Sequence, residues 1–424
     1  MEAQGKDSEF KSVFICVHQW FNFFNSKFKI QNSKLSFLYL CVSVFILFTI
    51  ANSSLAKTLT LAASKSFYKE EGAHFELILD LWEVVAELHD ENNNVYYFTF
   101  SFYRSGTMYM EFRYYLAGLY DVTEKKYYHE TRAPGLLAEA ARRELNQKAQ
   151  QKPEIPAYAA AAARIKNGEY RNFAFLTPTP SVYRNQLFIQ NEAFHFKRIL
   201  ENWFLYSLYI PVEGKIVSLS IESLSDPIVY DSKNPIVPGT GTQLLGYAFP
   251  NMNFQGSITT GEKKIAVRGQ GWYYHLWGTT SRETFTHYAI LSQNLDKHAA
   301  LQAMVFYNPK GLPVYSHLAF VSSGAVKHSD NSVSLKPSTK WQSAASGITY
   351  PAELGIDSNL LKGEIEILYS ETEQNIIEGR GAYYLGPCRF TGTATGYKKS
   401  PTGNIEKSME KEAGTGFCRI VENE

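Results

Sequence analysis

The sequence predicts an all-β protein interrupted by one helical insertion. Three observations carry this. Short apolar runs rich in Tyr, Phe, Val and Ile recur from about Lys65 onward, separated by turn-forming clusters of Asn, Asp, Gly and Pro. Aromatic residues make up 15% of the chain, with 28 Tyr and 28 Phe, and flat or branched side chains pack well on pleated sheets. Residues 134–170 alone break the pattern, being Ala-rich with helix-forming charges. Many strands at short spacing imply sandwiches or barrels, and a closed barrel can enclose an apolar ligand.

In chain order, Lys27, Lys29 and Lys34 precede an uncharged apolar run from Leu35 to Ala56 that ends in NSSLA. Positive region, apolar region and small residues at Ser54 and Ala56 make residues 1–56 a cleavable signal peptide. The run is also long enough to be an uncleaved membrane anchor. Either reading expects a secreted, periplasmic or secretory-pathway protein, with any membrane contact made through residues 35–56. A tethered intracellular protein is the third reading. Cys16 and Cys41 lie in or before this segment. Cys388 and Cys418 remain, either as one disulfide worth ~3 kcal/mol in the chain-entropy model or as two buried thiols. Their spacing is no zinc motif.

The stretch HFELILDLWEVVAELHD (74–90) has mixed periodicity that would also suit a helix. The turn cluster DENNNV (90–95) and the β-prone VYYFTFSFYR (95–104) decide for a hairpin. MYMEFRYYLAGLYD supplies another strand. Pro153 and Pro156 split the helical insertion, which serves as a surface flap or a lid. Strands resume with FAFLTPTP and KIVSLSIESL, the latter alternating cleanly. NPIVPGTGTQ (234–243) reads as a loop, followed by YAFPNMNFQGSI, a TTGEKK turn and IAVRGQGWYYHLWG. The polar TTSRET after Gly278 marks a domain boundary, giving domains over 65–280 and 281–424. The second half continues with FTHYAILSQ, then LQAMVFYNPKGLPVYSHLAFVSS around an NPKG turn with Pro309 at its second position. EIEILYS and GAYYLGPCRFTG follow.

A net charge of +1 without a basic tract argues against nucleic acid as a partner. There is no GxSxG elbow, P-loop, GxGxxG after a strand or HxxxH cluster, so neither cofactor nor metal is expected. The stretch GQGWYYHLWG (269–278) is the most unusual feature. On a strand, Trp272, Tyr274 and Leu276 share one face, and Tyr273, His275 and Trp277 the other. Such rings fill a core or line a pocket for a large apolar ligand.

The order of these pieces resembles the carotenoid 1,2-hydratase (hydroxyneurosporene synthase) and AttH-like family. Asp80, Leu81 and Trp82 stand where the family has Glu-Trp-Trp. Tyr247, Ala248, Phe249 and Pro250 match its Tyr-rich segment ending in Pro. Gly269, Gly271, Trp272, His275, Trp277 and Gly278 fit its G-x-G-[YW]-x-D-H-x-W-G pattern. Tyr384, Gly386, Gly392, Thr395, Gly396 and Tyr397 fit a C-terminal pattern. The resemblance spans roughly residues 70–400 and implies two lipocalin-like antiparallel β-barrel domains in tandem.

The departures matter too. The hydratase branch implicates an aromatic and an aspartate in catalysis, at the places held here by Trp272 and Tyr274. Leu385 and Ala394 replace the Glu positions of the C-terminal pattern. Hydrating an isolated alkene needs a proton delivered to carbon, for which a buried carboxylic acid is suited and a phenol is not. Tyr274 is instead a good hydrogen-bond donor to a carbonyl, which suits cyclisation or isomerisation. Asp80 and Glu83, on the N-terminal strand, are candidates to supply the acid, and His275 is the best general acid/base by type. The expectation is a cofactor-independent enzyme hydrating or cyclising an isoprenoid- or polyketide-like substrate. Trp272, Tyr274 and His275 would carry the reaction. Trp82, Tyr247, Phe249, Trp277 and Asp80 would shape the pocket. The rival readings are a carrier of a lipid-like ligand and a structural protein whose aromatics are only core.

Overall fold

The computed structural model describes residues 69–422, apart from 108–109, 155, 168–179, 202, 224, 232–234, 240–241, 280–286, 296–298, 323–324, 345, 375–382 and 400–404. The apolar run 35–56, most of FAFLTPTP and the boundary stretch 280–284 therefore lie outside the described residues. Among the described residues no helix is long and apolar enough to cross a membrane.

The chain opens with β1 (Leu79–Asp90), β2 (Val95–Thr107), β3 (Met110–Asp121) and β4 (Lys126–Arg132), each antiparallel to the next. Asp90 makes the first turn by accepting hydrogen bonds from the backbone N–H of Asn92 (2.8 Å) and Asn94 (2.9 Å) and from Asn94 Nδ2 (2.9 Å). Asn93 takes the left-handed conformation there, which Asn tolerates better than most residues. β1 is buried on both faces, and that is why its hydrophobic pattern obeys no single period. Trp82, Val84, Ala86 and Leu88 enter one core, and Leu81 and Val85 another.

The insertion is two helices, α1 (Gly135–Gln151) and α2 (Pro156–Lys166). Pro156 opens α2, where a missing N–H costs nothing. Leu145, Tyr158, Ala161 and Ala162 join the helices in a small cluster of their own. Leu137 and Ala141 tie α1 to the core between the sheets.

Strands then run as β5 (Ser181–Val182), β6 (Phe188–Gln190), β7 (His195–Arg198), β8 (Leu205–Val212), β9 (Lys215–Glu222), β10 (Ile228–Tyr230), β11 (Ile236–Gly239), β12 (Thr242–Thr260) and β13 (Lys263–Thr279). The expected loop over 234–243 is largely a hairpin, because β11 pairs with β12. The first sheet has the order β4-β3-β2-β1-β13-β12-β9-β8-β7-β6-β5, with β10 and β11 added beside β12. It curls until β3 and β4 meet β8. There Glu130 accepts a hydrogen bond from the Glu213 backbone (3.0 Å). Its enclosed core includes Trp82, Phe100, Tyr206, Tyr247, Phe249 and Tyr273.

The second sheet comprises β14 (His287–Leu295), β15 (Ala300–Tyr307), β16 (Pro313–Ser322), β17 (Ala325–Asp330), β18 (Ser334–Gln342), β19 (Thr349–Asp357), β20 (Leu361–Ile367), β21 (Glu373–Gln374), β22 (Tyr383–Lys399) and β23 (Ile405–Val421). Its order is β17-β16-β15-β14-β23-β22-β20-β19-β18, with β21 beside β22. Cys388 and Cys418 form a disulfide across β22 and β23, with 6.0 Å between Cα atoms. Both sheets are curled antiparallel half-barrels, a tandem lipocalin-like architecture. A separate core joins them back to back, formed by Trp272, Tyr274 and Val85 of the first sheet with Ile290, Met304 and Phe417 of the second.

Candidate functional site

β13 runs between β1 and β12, and its register fixes the neighbours of every ring in GQGWYYHLWG. His275 lies opposite Trp82 and Tyr247, Trp277 opposite Asp80, Tyr274 opposite Glu83, and Trp272 opposite Val85. Gly269 and Gly271 are required by close approach. A Cβ on Gly271 would stand 1.9 Å from the Val85 carbonyl oxygen, and one on Gly269 would stand 1.8 Å from that of Glu87. The residues expected to form one site are divided between the two faces of the strand.

His275, Trp82, Tyr247, Phe249, Trp277 and Asp80 lie on the inner face. Asp80 is fully buried and accepts hydrogen bonds from the His74 backbone N–H (3.2 Å) and Arg104 Nε (2.6 Å). Its Oδ1 also faces His74 Nδ1 (2.9 Å) and His275 Nε2 (3.4 Å). Arg104 Nη2 donates to the carbonyls of His74 and Leu77, both at 2.7 Å. Trp82 Nε1 donates to the Glu71 carbonyl (3.1 Å), and Glu71 Oε1 accepts from Tyr206 (2.6 Å) while Oε2 pairs with Arg198 (2.5 Å). Residues 70–77 are thereby drawn into the barrel mouth by paired charges, as burial of charge requires. Burial lowers the His275 pKa to about 4 against the pull of Asp80, so the ring is neutral at pH 7. Burial raises the Asp80 carboxyl, but hydrogen bonds from His275 and His74 outweigh it and hold it at about 2. Phe249 stacks on Tyr273, with 6.0 Å between centroids, inside the packed core.

Trp272 and Tyr274 lie on the outer face, in the seam between the sheets, with their rings stacked at 6.0 Å. Beside Tyr274, the Glu83 carboxylate accepts hydrogen bonds from Ser101 Oγ (2.6 Å) and Arg419 Nη1 (2.6 Å). Arg419 also donates to the hydroxyls of Tyr288 (3.1 Å) and Tyr103 (2.5 Å), and its guanidinium lies 4.6 Å from the Tyr383 ring centroid. From the second sheet Gln302 accepts from Tyr230 (2.5 Å). Burial raises the Tyr274 phenol far above its ordinary range, so it is a proton-bearing donor at any working pH. Among the described residues of the seam, the buried Trp272 Nε1 has no hydrogen-bond partner.

Along β1 and β13 this seam leads to a cleft of about 540 Å³, lined by Glu87, His89, Gln270, Asn294, Arg389 and Thr415 among others. Two of its walls carry buried acceptor atoms with no hydrogen-bond partner, Glu87 Oε2 and Asn294 Oδ1. Glu87 and Glu83 share a face of β1 at a separation of about 13 Å. The Gln270, Trp272 and Tyr274 side chains form successive rungs from the cleft inward.

Residues 182–400 match the model of a family described as AttH-like, which is more than half of the chain. The chain belongs to the AttH-like family. A structure from Nitrosomonas europaea described as AttH is 17% identical, with a TM-score of 0.61 over 83% of this chain and 95% of that one. Kievitone hydratase from Nectria haematococca is 12% identical, with a TM-score of 0.55 over 83% of this chain and 91% of that one. Both show the fold of this AttH-like chain. No curated protein matches it by sequence.

Sequence reasoning missed several residues of these networks. In the AttH-like chain Arg419 reaches Glu83 from 336 residues away, and His275 reaches Asp80 from 195 residues away. No local pattern announces such meetings. Asp80, Glu83, Trp82 and His275 were legible from their strands, whereas Arg419, His74, Arg104 and Glu71 carried no such signal.

Proposed function

We propose that this AttH-like protein is a lyase-type enzyme that hydrates or cyclises a small, largely apolar molecule bound between its two sheets. One observation carries the reading. The carboxylate missing from position 274 stands instead at Glu83, directly across the strand pair from Tyr274 and on the same face as Trp272. A proton-bearing phenol beside a carboxylate is the equipment for adding water to a polarised double bond. Tyr274 donates a hydrogen bond to the substrate carbonyl oxygen as negative charge develops there. Glu83 takes a proton from the attacking water, whose oxygen bonds to the β carbon as the double bond's electron pair shifts toward the carbonyl, and protonated Glu83 then returns that proton to the α carbon. Arg419 orients Glu83 and keeps its charge paired in the seam. Trp272, Val85, Leu81 and Ile290 offer apolar walls suited to an isoprenoid- or polyketide-like skeleton. The fold shared with a hydratase supports the reaction class. His275 belongs to the other face and has no part in this chemistry. The apolar run 35–56 and the disulfide support an exported protein working in an oxidising compartment.

The test is incubation of the purified protein with an apolar extract of its source cells in ¹⁸O-labelled water, followed by mass analysis. A labelled product identifies a hydratase, and a new peak of unchanged mass a cyclase or isomerase. Tyr274→Phe should slow formation of either product about 100-fold and Glu83→Gln should abolish it, and undiminished turnover in both overturns the assignment. A carrier is the second reading, favoured by the phenol standing where the hydratase branch has its aspartate. A compound retained without alteration would establish it.

A further inference from the structure

On the face of β13 turned away from the seam, three metal-ligating side chains converge. We propose that His74, Asp80 and His275 form a divalent transition-metal site, of the zinc or cobalt class, that clamps residues 70–77 into the mouth of the first barrel. One ligand atom from each lies within 4.8 Å of the others. Asp80 Oδ1 is the shared apex, 2.9 Å from His74 Nδ1 and 3.4 Å from His275 Nε2. Two imidazoles and a carboxylate on one side of an ion are a recurrent transition-metal ligand set, and small closing movements bring such atoms to bonding distance.

The surroundings are those of a built site. Arg104 Nε holds the other Asp80 oxygen at 2.6 Å, which orients the carboxylate and leaves Oδ1 directed at the two rings. Arg104 is itself fixed by the His74 and Leu77 carbonyls. Each ligand ring is held flat against a tryptophan. His275 lies 4.5 Å from Trp82 at 16°, and His74 lies 4.1 Å from Trp277 at 9°. Asp80 and His275 are wholly buried, whereas the His74 side chain retains 14% exposure and gives an ion its way in from solvent. Glu70, whose Oε2 is 3.8 Å from His74 Nε2, and Glu111, 3.4 Å from Arg104 Nη1, offset the positive charge an ion adds beside Arg104. The ligands come from the entering segment, β1 and β13, so binding an ion cross-links parts of the chain that meet only on folding. The site is independent of the chemistry proposed for the seam.

The experiment uses the full chain, free of any polyhistidine tag and dialysed against a chelator. It is titrated with Co(II), followed by visible absorption, and then with Zn(II), followed by calorimetry and thermal unfolding. The expected result is one Co(II) per chain with a ligand-field band, displaced by one Zn(II), and a raised Tm. His74→Ala should weaken Zn(II) binding at least tenfold and remove the Tm increment. His89→Ala, at the distant cleft, should change neither. Absence of a Co(II) band and of binding heat in the unsubstituted protein overturns the proposal without recourse to any variant. So does binding that His74→Ala leaves intact.

Discussion

Tyr274 and Glu83, the pair proposed to carry the reaction, are brought together by one strand register. The phenol is held protonated by burial, and the carboxylate beside it is tied to Arg419 and Ser101. Removing the phenolic hydroxyl with Tyr274→Phe should reduce kcat about 100-fold with little effect on Tm, as for loss of one oxyanion donor. Steady-state kinetics and thermal unfolding together check this. Arg419 is a different matter, because it is nearly buried and its loss strands the Glu83 charge in the seam. Arg419→Ala should cost about 3–5 kcal/mol in urea unfolding, whereas the apolar pair Glu83→Leu with Arg419→Met should recover most of it while remaining inactive. Equal instability of the single and double variants would argue against an uncompensated charge as the cause. At this scale the alternation in GQGWYYHLWG was enough to pair Trp272 with Tyr274 and to separate them from His275. It carried no information about which residues of other strands face either set.

At the scale of elements, the turn between β1 and β2 is built on the Asp90 carboxylate. Burial raises its pKa, but hydrogen bonds from Asn94 and Asn92 prevail, and the folded value lies below the usual one. The unfolded chain therefore binds the proton more readily, so the contribution is complete above about pH 4 and is lost as pH falls through the folded value. Asp90→Asn should flatten the acid limb of a stability–pH curve, and an unchanged limb would remove the turn from the explanation. The glycines of β13 act sterically. Gly271→Ala would press a methyl group against the Val85 carbonyl and force β13 away from β1. It should destabilise by about 1–3 kcal/mol and reduce turnover through the displaced Tyr274, which unfolding curves and kinetics on the same sample would reveal. The G-x-G of the family pattern is thus a condition for close strand approach. The hairpin 74–104 and the helical insertion were legible because local turn chemistry and propensity agree with the fold. The strand at 236–239 was not, since Pro and Gly there read as a loop and only pairing with β12 makes it a strand.

For the whole molecule, two curled sheets share an apolar seam, and the second is braced by the disulfide between β22 and β23. Replacing Cys388 and Cys418 by Ser should cost ~3 kcal/mol in the chain-entropy model, measured by denaturant unfolding. Each sheet encloses its own core, and Trp82, Tyr247 and Phe249, expected to shape a pocket near the junction of the two domains, pack inside the first. A cleft lies between the two sheets, lined by Glu87 and Gln270 from one and by Asn294 and Arg389 from the other. By itself the sequence determined the all-β class, the helical insertion, the family and the division of rings between two faces of one strand. The family was legible as a resemblance in the order of its motifs, whereas the other properties follow from propensity, turn residues and the two-residue period of a strand, all of which are local. Only the tertiary structure decided that Glu83 opposes Tyr274, that Arg419 closes the pair, and that His74 and Asp80 meet His275. Each of those contacts depends on strand register and on the curl of a sheet, which are set by packing between residues far apart in the chain.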